Sequence, residues 1–154
     1  MRETSKVAAP LVASFIMVAW DFSMDPVWST ILHAWVWRDG GPYFGVPISN
    51  FVGWFFSVYI IFQFFALYLR SPSSTVISLP RAYWTVAIVF YAISPAGNLL
   101  LLIPHSGLSV VSDPSGIQWR VASITAATTL ISVFVTGAFC AIAWAGLPDS
   151  NSGA

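Results

Sequence analysis

The sequence predicts an all-α protein, an integral membrane bundle of about four transmembrane helices with one short interfacial or re-entrant amphipathic helix. Of its 154 residues, 57% are hydrophobic and 8% are charged. A soluble domain carries charge on about a quarter of its residues, because its surface must face water. The aromatic share of 16%, joined to so little charge, also excludes a disordered chain. The third observation is the recurrence of long apolar runs, each near the roughly 20 residues needed to cross a hydrocarbon core of about 30 Å. At this length the runs form a single membrane domain over residues 1–154. Six basic and six acidic side chains balance, so no basic surface points to nucleic acid, and the partner implied by composition is the lipid bilayer. Cys140 is the sole cysteine, which excludes an internal disulfide and a thiolate metal cluster.

The first span is expected over about 7–23. A basic head precedes it as in a signal peptide, but no small-residue cleavage site follows. From Pro26 to Arg38 the apolar residues become periodic, with Val27, Trp28, Ile31, Leu32, Trp35 and Val36 on one stripe. That pattern reads as an amphipathic helix too short to cross, with Asp25 as its N-cap and Pro26 in its first turn. Asp39-Gly40-Gly41-Pro42 ends it, and the interfacial helix and loop together occupy 25–48. The second span is expected over 49–69, with Ser49 or Asn50 at its start, and residues 71–80 form a polar connection. The third covers 81–103, with Pro95 expected to kink it and free the carbonyl of Tyr91. The fourth covers 119–145, and the polar end 149–154 reads as frayed. Four spans put both termini on one side. With the N-terminus inside, Arg2, Lys6, Arg70 and Arg81 are cytoplasmic while Arg38 and Arg120 are outside, as the positive-inside rule favours.

Polar residues within apolar runs are the candidates for function. Asp21 and Asp25 are four apart, so a helix continuing through Met24 would set both carboxylates on one face. A carboxyl beside a second carboxylate in a poorly hydrated place can hold a proton near neutral pH and act as a general acid. The alternative is that Asp25 only caps a helix while Asp21 pairs with Arg38 or a backbone donor. Tyr83, Tyr91, Ser94 and Asn98 share a face of the third span, either lining a cavity or bonding between helices. Gln63 in the second span invites the same two readings. Thr125, Thr128, Thr129, Ser132, Thr136, Gly137 and Cys140 run along one side of the fourth span, as close helix packing requires. His33 and His105 are too few for a metal site, and none is expected. No Gly-rich loop follows a nucleotide-binding pattern, and no Gly-x-Ser-x-Gly elbow supports hydrolysis. Trp28, Trp35, Trp37, Tyr43, Phe44 and Trp54 concentrate aromatic surface in one part of the chain, either as an interfacial belt or as the wall of a pocket for a flat apolar ligand.

The ordered run Trp20-Asp21-x-x-Met24-Asp25-Pro26, then Trp35-x-Trp37, then Gly41-Pro42-Tyr43-Phe44-Gly45-Val46-Pro47-x-Ser49-Asn50-Phe51-x-Gly53-Trp54-Phe55 resembles the integral-membrane carotenoid biosynthesis proteins of the γ-carotene hydratase and bisanhydrobacterioruberin hydratase type. The motif covers residues 20 to 55, and the chain resembles the C-terminal portion of such a protein. The resemblance implies hydration of the terminal double bond of an acyclic carotenoid to a tertiary alcohol, with a carotenoid as substrate. That chemistry needs a proton donor, a place for a tertiary cation and one water, and no redox or nucleotide cofactor. Asp21 or Asp25 could be the donor and its neighbour could hold the water. Indoles of Trp35, Trp37 or Trp54 could stabilise the cation by about 1 to 2 kcal/mol. Trp28, Tyr43 and Phe44 would add to the substrate wall, Asn50 would orient water or the loop, and Gly41 and Gly45 are backbone requirements. Two other readings stand beside it: a non-catalytic carotenoid-binding or assembly subunit that needs an oligomer or partner membrane subunit, and a small transporter component.

Overall fold

The computed structural model describes residues 5–69, 79–103, 107 and 109–147. Arg2, Arg70, His105, most of the connection 71–80 and the end 149–154 lie outside the described residues. Helix α1 (Ser5–Asp25) runs on into a π turn over Pro26–Ile31. Then come α2 (Ile48–Tyr68), α3 (Arg81–Ala96) with a 3₁₀ extension over Gly97–Leu102, and an antiparallel hairpin of β1 (Val110–Ser112) and β2 (Gln118–Arg120). The chain closes with α4 (Val121–Leu130), a second π turn over Ile131–Thr136, and α5 (Gly137–Ala145). Taken as continuous rods, these make four helices long and apolar enough to cross a membrane: Lys6–Ile31, Ile48–Tyr68, Arg81–Leu102 and Val121–Ala145.

The rods alternate in direction. Asn50 of α2 meets Asp21 and Asp25, while Phe55 meets Phe15, so α1 and α2 are antiparallel. Tyr91 reaches the carbonyl of Ile16 and Asn98 that of Ser23, so α3 runs beside α1 in the same sense. Most apolar side chains point outward, as Phe64 on α2 and Phe90 on α3 do. An outer surface of that kind suits lipid rather than water. The interior is instead small and polar: Ser14, Ser23, Ser29, Thr128 and Ser132 are buried, and each returns its hydroxyl proton to a carbonyl three or four residues back in its own rod. A short side chain that satisfies itself in this way lets neighbouring backbones approach closely. Three members of the polar face of the third span bond across helices. Tyr91 and Asn98 do so as above, Asn98 also reaches Ser132 Oγ at 3.2 Å, and Ser94 Oγ lies 3.8 Å from Met24 Sδ. Tyr83 is exposed and touches Trp84.

The separate amphipathic helix expected from Pro26 to Arg38 does not form. Asp25 is itself helical (φ −54°, ψ −47°) and makes no capping hydrogen bond. The first rod therefore passes through Pro26 and reaches Ile31, and the chain from 32 to 47 is a folded loop. The physical reason is tertiary. A proline inside a helix strips the carbonyl four residues back of its partner. Here that carbonyl belongs to Phe22, and it accepts a hydrogen bond from the Tyr43 hydroxyl at 3.1 Å. The Asp25 carboxylate is likewise used elsewhere, on Asn50. The helix can widen to the looser π pitch instead of stopping, as the bond from Leu32 N–H to Val27 O shows. At Pro95 the outcome is a tightening: α3 continues to Ala96 and then narrows to the 3₁₀ turn.

Candidate functional site

The loop 32–47 folds back onto the end of α1. Its Tyr43-Phe44-Gly45-Val46 segment is a two-residue hairpin turn closed by Tyr43 N–H to Val46 O at 3.2 Å and Val46 N–H to Tyr43 O at 2.9 Å. Both central residues have positive φ, Phe44 at 51° and Gly45 at 86°. That combination suits the turn in which the strand twist is matched. Gly41 is required for a different reason, since a Cβ there would lie 2.2 Å from the carbonyl carbon of Val46. The sequence expectation that Gly41 and Gly45 serve the backbone is thus met by geometry.

The turn drives Val46 into a core cluster with Val18 and Phe51, ringed by Phe22, Trp37, Tyr43 and Phe55. Phe22 stacks on Phe51 with centroids 4.2 Å apart, and Tyr43 stands edge-on to both rings. Burial pushes the Tyr43 phenol up to about 12, so it remains a neutral donor to the Phe22 carbonyl. Asp21 precedes Phe22 and Asn50 precedes Phe51, so the same contact that packs the rings brings acid and amide together. Asn50 Nδ2 donates to Asp21 Oδ2 at 2.9 Å and to Asp25 Oδ2 at 2.5 Å. The two acids are 2% and 5% exposed. Arg38 is not among the groups that act on either acid. Two buried carboxyl groups thus share one amide donor, whereas a buried acid is normally paired with a cation or with several N–H donors.

The other residues singled out from the sequence divide. Trp37 and Tyr43 join the cluster around the acids. Phe44 belongs to a second core of Val27, Val111 and Ile124, where it meets Trp119 edge-on at 5.4 Å, and its carbonyl accepts from Thr30 Oγ1 at 2.5 Å. Trp28 and Trp35 stack on each other, nearly parallel with centroids 6.4 Å apart, on the exposed surface. Trp54 is exposed on α2 and is not brought to the acids. Sequence reasoning missed Thr30 and the Phe22 carbonyl. The signal for the last was present, because the rule applied to Pro95 and Tyr91 applies equally to Pro26 and Phe22. It also missed Asp113, which organises the hairpin turn by accepting from Ser115 N–H at 2.9 Å, Ser115 Oγ at 2.5 Å, Ile117 N–H at 3.1 Å and Trp119 Nε1 at 2.8 Å. Burial alone would raise that carboxyl, but the bonds from Ser115, Trp119 and Ile117 outweigh it and hold the group below its ordinary value of 3.8.

A separate apolar cleft of about 460 Å³ opens between α1, α3 and α5, with Ile16, Trp84, Ile88, Tyr91, Phe139 and Cys140 on its walls; Asp21, Asp25 and Asn50 do not line it. Among the described residues no three His, Cys, Asp or Glu side chains gather as metal ligands do.

The fold and site define a small helical membrane protein with a buried acid–amide–acid group beneath a folded loop. The sequence model of the carotenoid biosynthesis protein family matches residues 1–111, far beyond the 20 to 55 stretch that carries the motif, and the chain belongs to that family. No curated protein and no solved structure matches it.

Proposed function

We propose that this protein hydrates the terminal double bond of an acyclic carotenoid end group by acid catalysis. The observation that carries the reading is the sharing of Asn50 Nδ2 between the buried carboxylates of Asp21 and Asp25. One carboxyl delivers its proton to the less substituted alkene carbon, and the π pair becomes the new C–H bond, leaving a tertiary cation. A water oxygen bonds to that cation, and its surplus proton passes to the other carboxylate. One water is added in total, and proton exchange between the neighbouring acids restores the start. Asn50 fixes the spacing of the pair. The aromatic rings of Tyr43, Phe22 and Phe51 give the cation a polarisable, water-poor surrounding. The polyene approaches sideways from the bilayer. The protein resides in the cell membrane with both termini cytoplasmic, a placement supported by the excess of Lys and Arg on that side of the sequence.

The test is expression in a host that makes lycopene or γ-carotene, with pigments separated by mass. Appearance of pigment heavier by one water supports the reading, and unchanged pigment from a stably inserted chain opposes it. A second reading, a non-catalytic carotenoid-binding subunit, is favoured by the 460 Å³ cleft away from the acids. It predicts that unmodified pigment co-purifies and that Trp84→Ala releases it.

A further inference from the structure

One turn beyond Asp25, between the π turn of α1 and the β-hairpin, lies a small cavity of about 10 Å³ whose wall mixes the polar Ser29, Thr30, His33 and Asp113 with the apolar Val36 and the ring of Trp37. That volume is about one water-sized sphere. Its boundary contains an unanswered donor. Trp37 Nε1 is buried and has no acceptor among the described residues, and an indole N–H can only donate, so leaving it bare forfeits its full hydration. The hydroxyls of the same wall have the opposite need. Ser29 Oγ gives its proton to Asp25 O at 2.7 Å and Thr30 Oγ1 gives its own to Phe44 O at 2.5 Å. Each has spent its one proton and keeps lone pairs. Asp113 does not compete, because its oxygens already accept from Ser115, Ile117 and Trp119.

We propose that this cavity is a single-water site, held by Trp37 Nε1, Ser29 Oγ and Thr30 Oγ1, through which water reaches the acid pair from the loop end of the bundle. A water there accepts from the indole and donates to both hydroxyl oxygens, giving it the two to four polar partners that buried waters require. His33 on the cavity wall is exposed, so the cavity lies next to the outer surface of the loop. Ser29 Oγ bonds the backbone carbonyl of Asp25, so the cavity lies one helical turn from the residue that carries the second acid. Trp37 and Thr30 are then positioning residues for water. The supply role rests on the hydratase reading, whereas the water site stands without it.

The test uses the full chain in detergent with ¹⁵N-labelled tryptophan, the Trp37 indole signal being assigned by its loss in Trp37→Phe. A dipolar cross-peak between water and the Trp37 Hε1 proton, lost in Thr30→Val and retained in Thr30→Ser, supports the site. A protected Trp37 Hε1 with no water cross-peak overturns it, whatever the pigment assay gives. In the pigment-producing host, Trp37→Phe is expected to lower the hydrated fraction roughly tenfold, about the worth of one ordering hydrogen bond. Undiminished hydration in that variant overturns the supply role. A cross-peak in a wild-type chain that hydrates nothing keeps the water site and sinks the hydratase reading with the supply role.

Discussion

Asn50 links α2 to two acids of α1 through a single nitrogen, and its replacement separates structure from chemistry. Asn50→Leu leaves both buried carboxylates without their side-chain donor, a loss of about 1–3 kcal/mol that thermal unfolding in detergent would register. Asp21→Asn keeps the shape and a hydrogen-bonding group, so membrane insertion and folding are expected to persist while hydrated pigment disappears. Normal turnover in that variant would remove Asp21 from the mechanism. Asp21 and Asp25 were visible in the sequence as acids four apart in an apolar run. Asn50 was visible only through the family motif, because nothing local joins a residue at 50 to residues at 21 and 25.

At the scale of the element, the first helix survives Pro26 because Tyr43 supplies the donor that proline lacks. Tyr43→Phe should therefore destabilise the protein by about 1–3 kcal/mol, the cost of a buried unpaired carbonyl. Pro26→Ala restores an N–H that can serve Phe22 O, so Tyr43→Phe should cost distinctly less in that background. A double-mutant cycle measures the coupling, and strictly additive losses would show that the two residues do not share the carbonyl. The local pattern suggested a fresh helix after Asp25 because Asp-Pro opens many helices; a bond from a residue 21 positions from Phe22 in sequence decided otherwise. The hairpin behaves similarly. Its Asp113 is held below the ordinary carboxylate value, so the stabilisation it gives is complete above that value and is lost as pH falls through the lowered one. Trp119, whose indole bonds that carboxylate, should change its fluorescence only in that acid range. A change centred near pH 6 would contradict the assignment.

For the whole molecule, polar groups are concentrated inside and at one end, while the lateral surface is apolar. The four-rod bundle, the extents of α2, α3 and the last rod within a few residues, and the small-residue packing face were all legible from composition and periodicity, since a span in lipid must satisfy its own backbone hydrogen bonds and the run of apolar residues records its length. Topology has a direct check: with both termini cytoplasmic, a cysteine placed at Arg38 in a Cys140→Ala background should react with a membrane-impermeant maleimide in intact cells. One placed at Lys6 should react only after permeabilisation, and the reverse pattern would invert the orientation.

The sequence by itself determined that this chain is of the membrane class, that it has about four helices long and apolar enough to cross, that its family is one of carotenoid biosynthesis and that two acids lie in its aromatic-rich part. These are properties of composition, spacing and motif, which need no knowledge of what touches what. Only the tertiary structure decided that Asp25 continues a helix rather than capping one, that Trp28, Trp35 and Trp54 stand apart from the acids, and that Trp37 borders a cavity the size of one water. Each of those depends on a hydrogen bond or ring contact between distant positions, and such a contact overrides local preference because a buried polar group without a partner costs more than a helix boundary moved by a few residues.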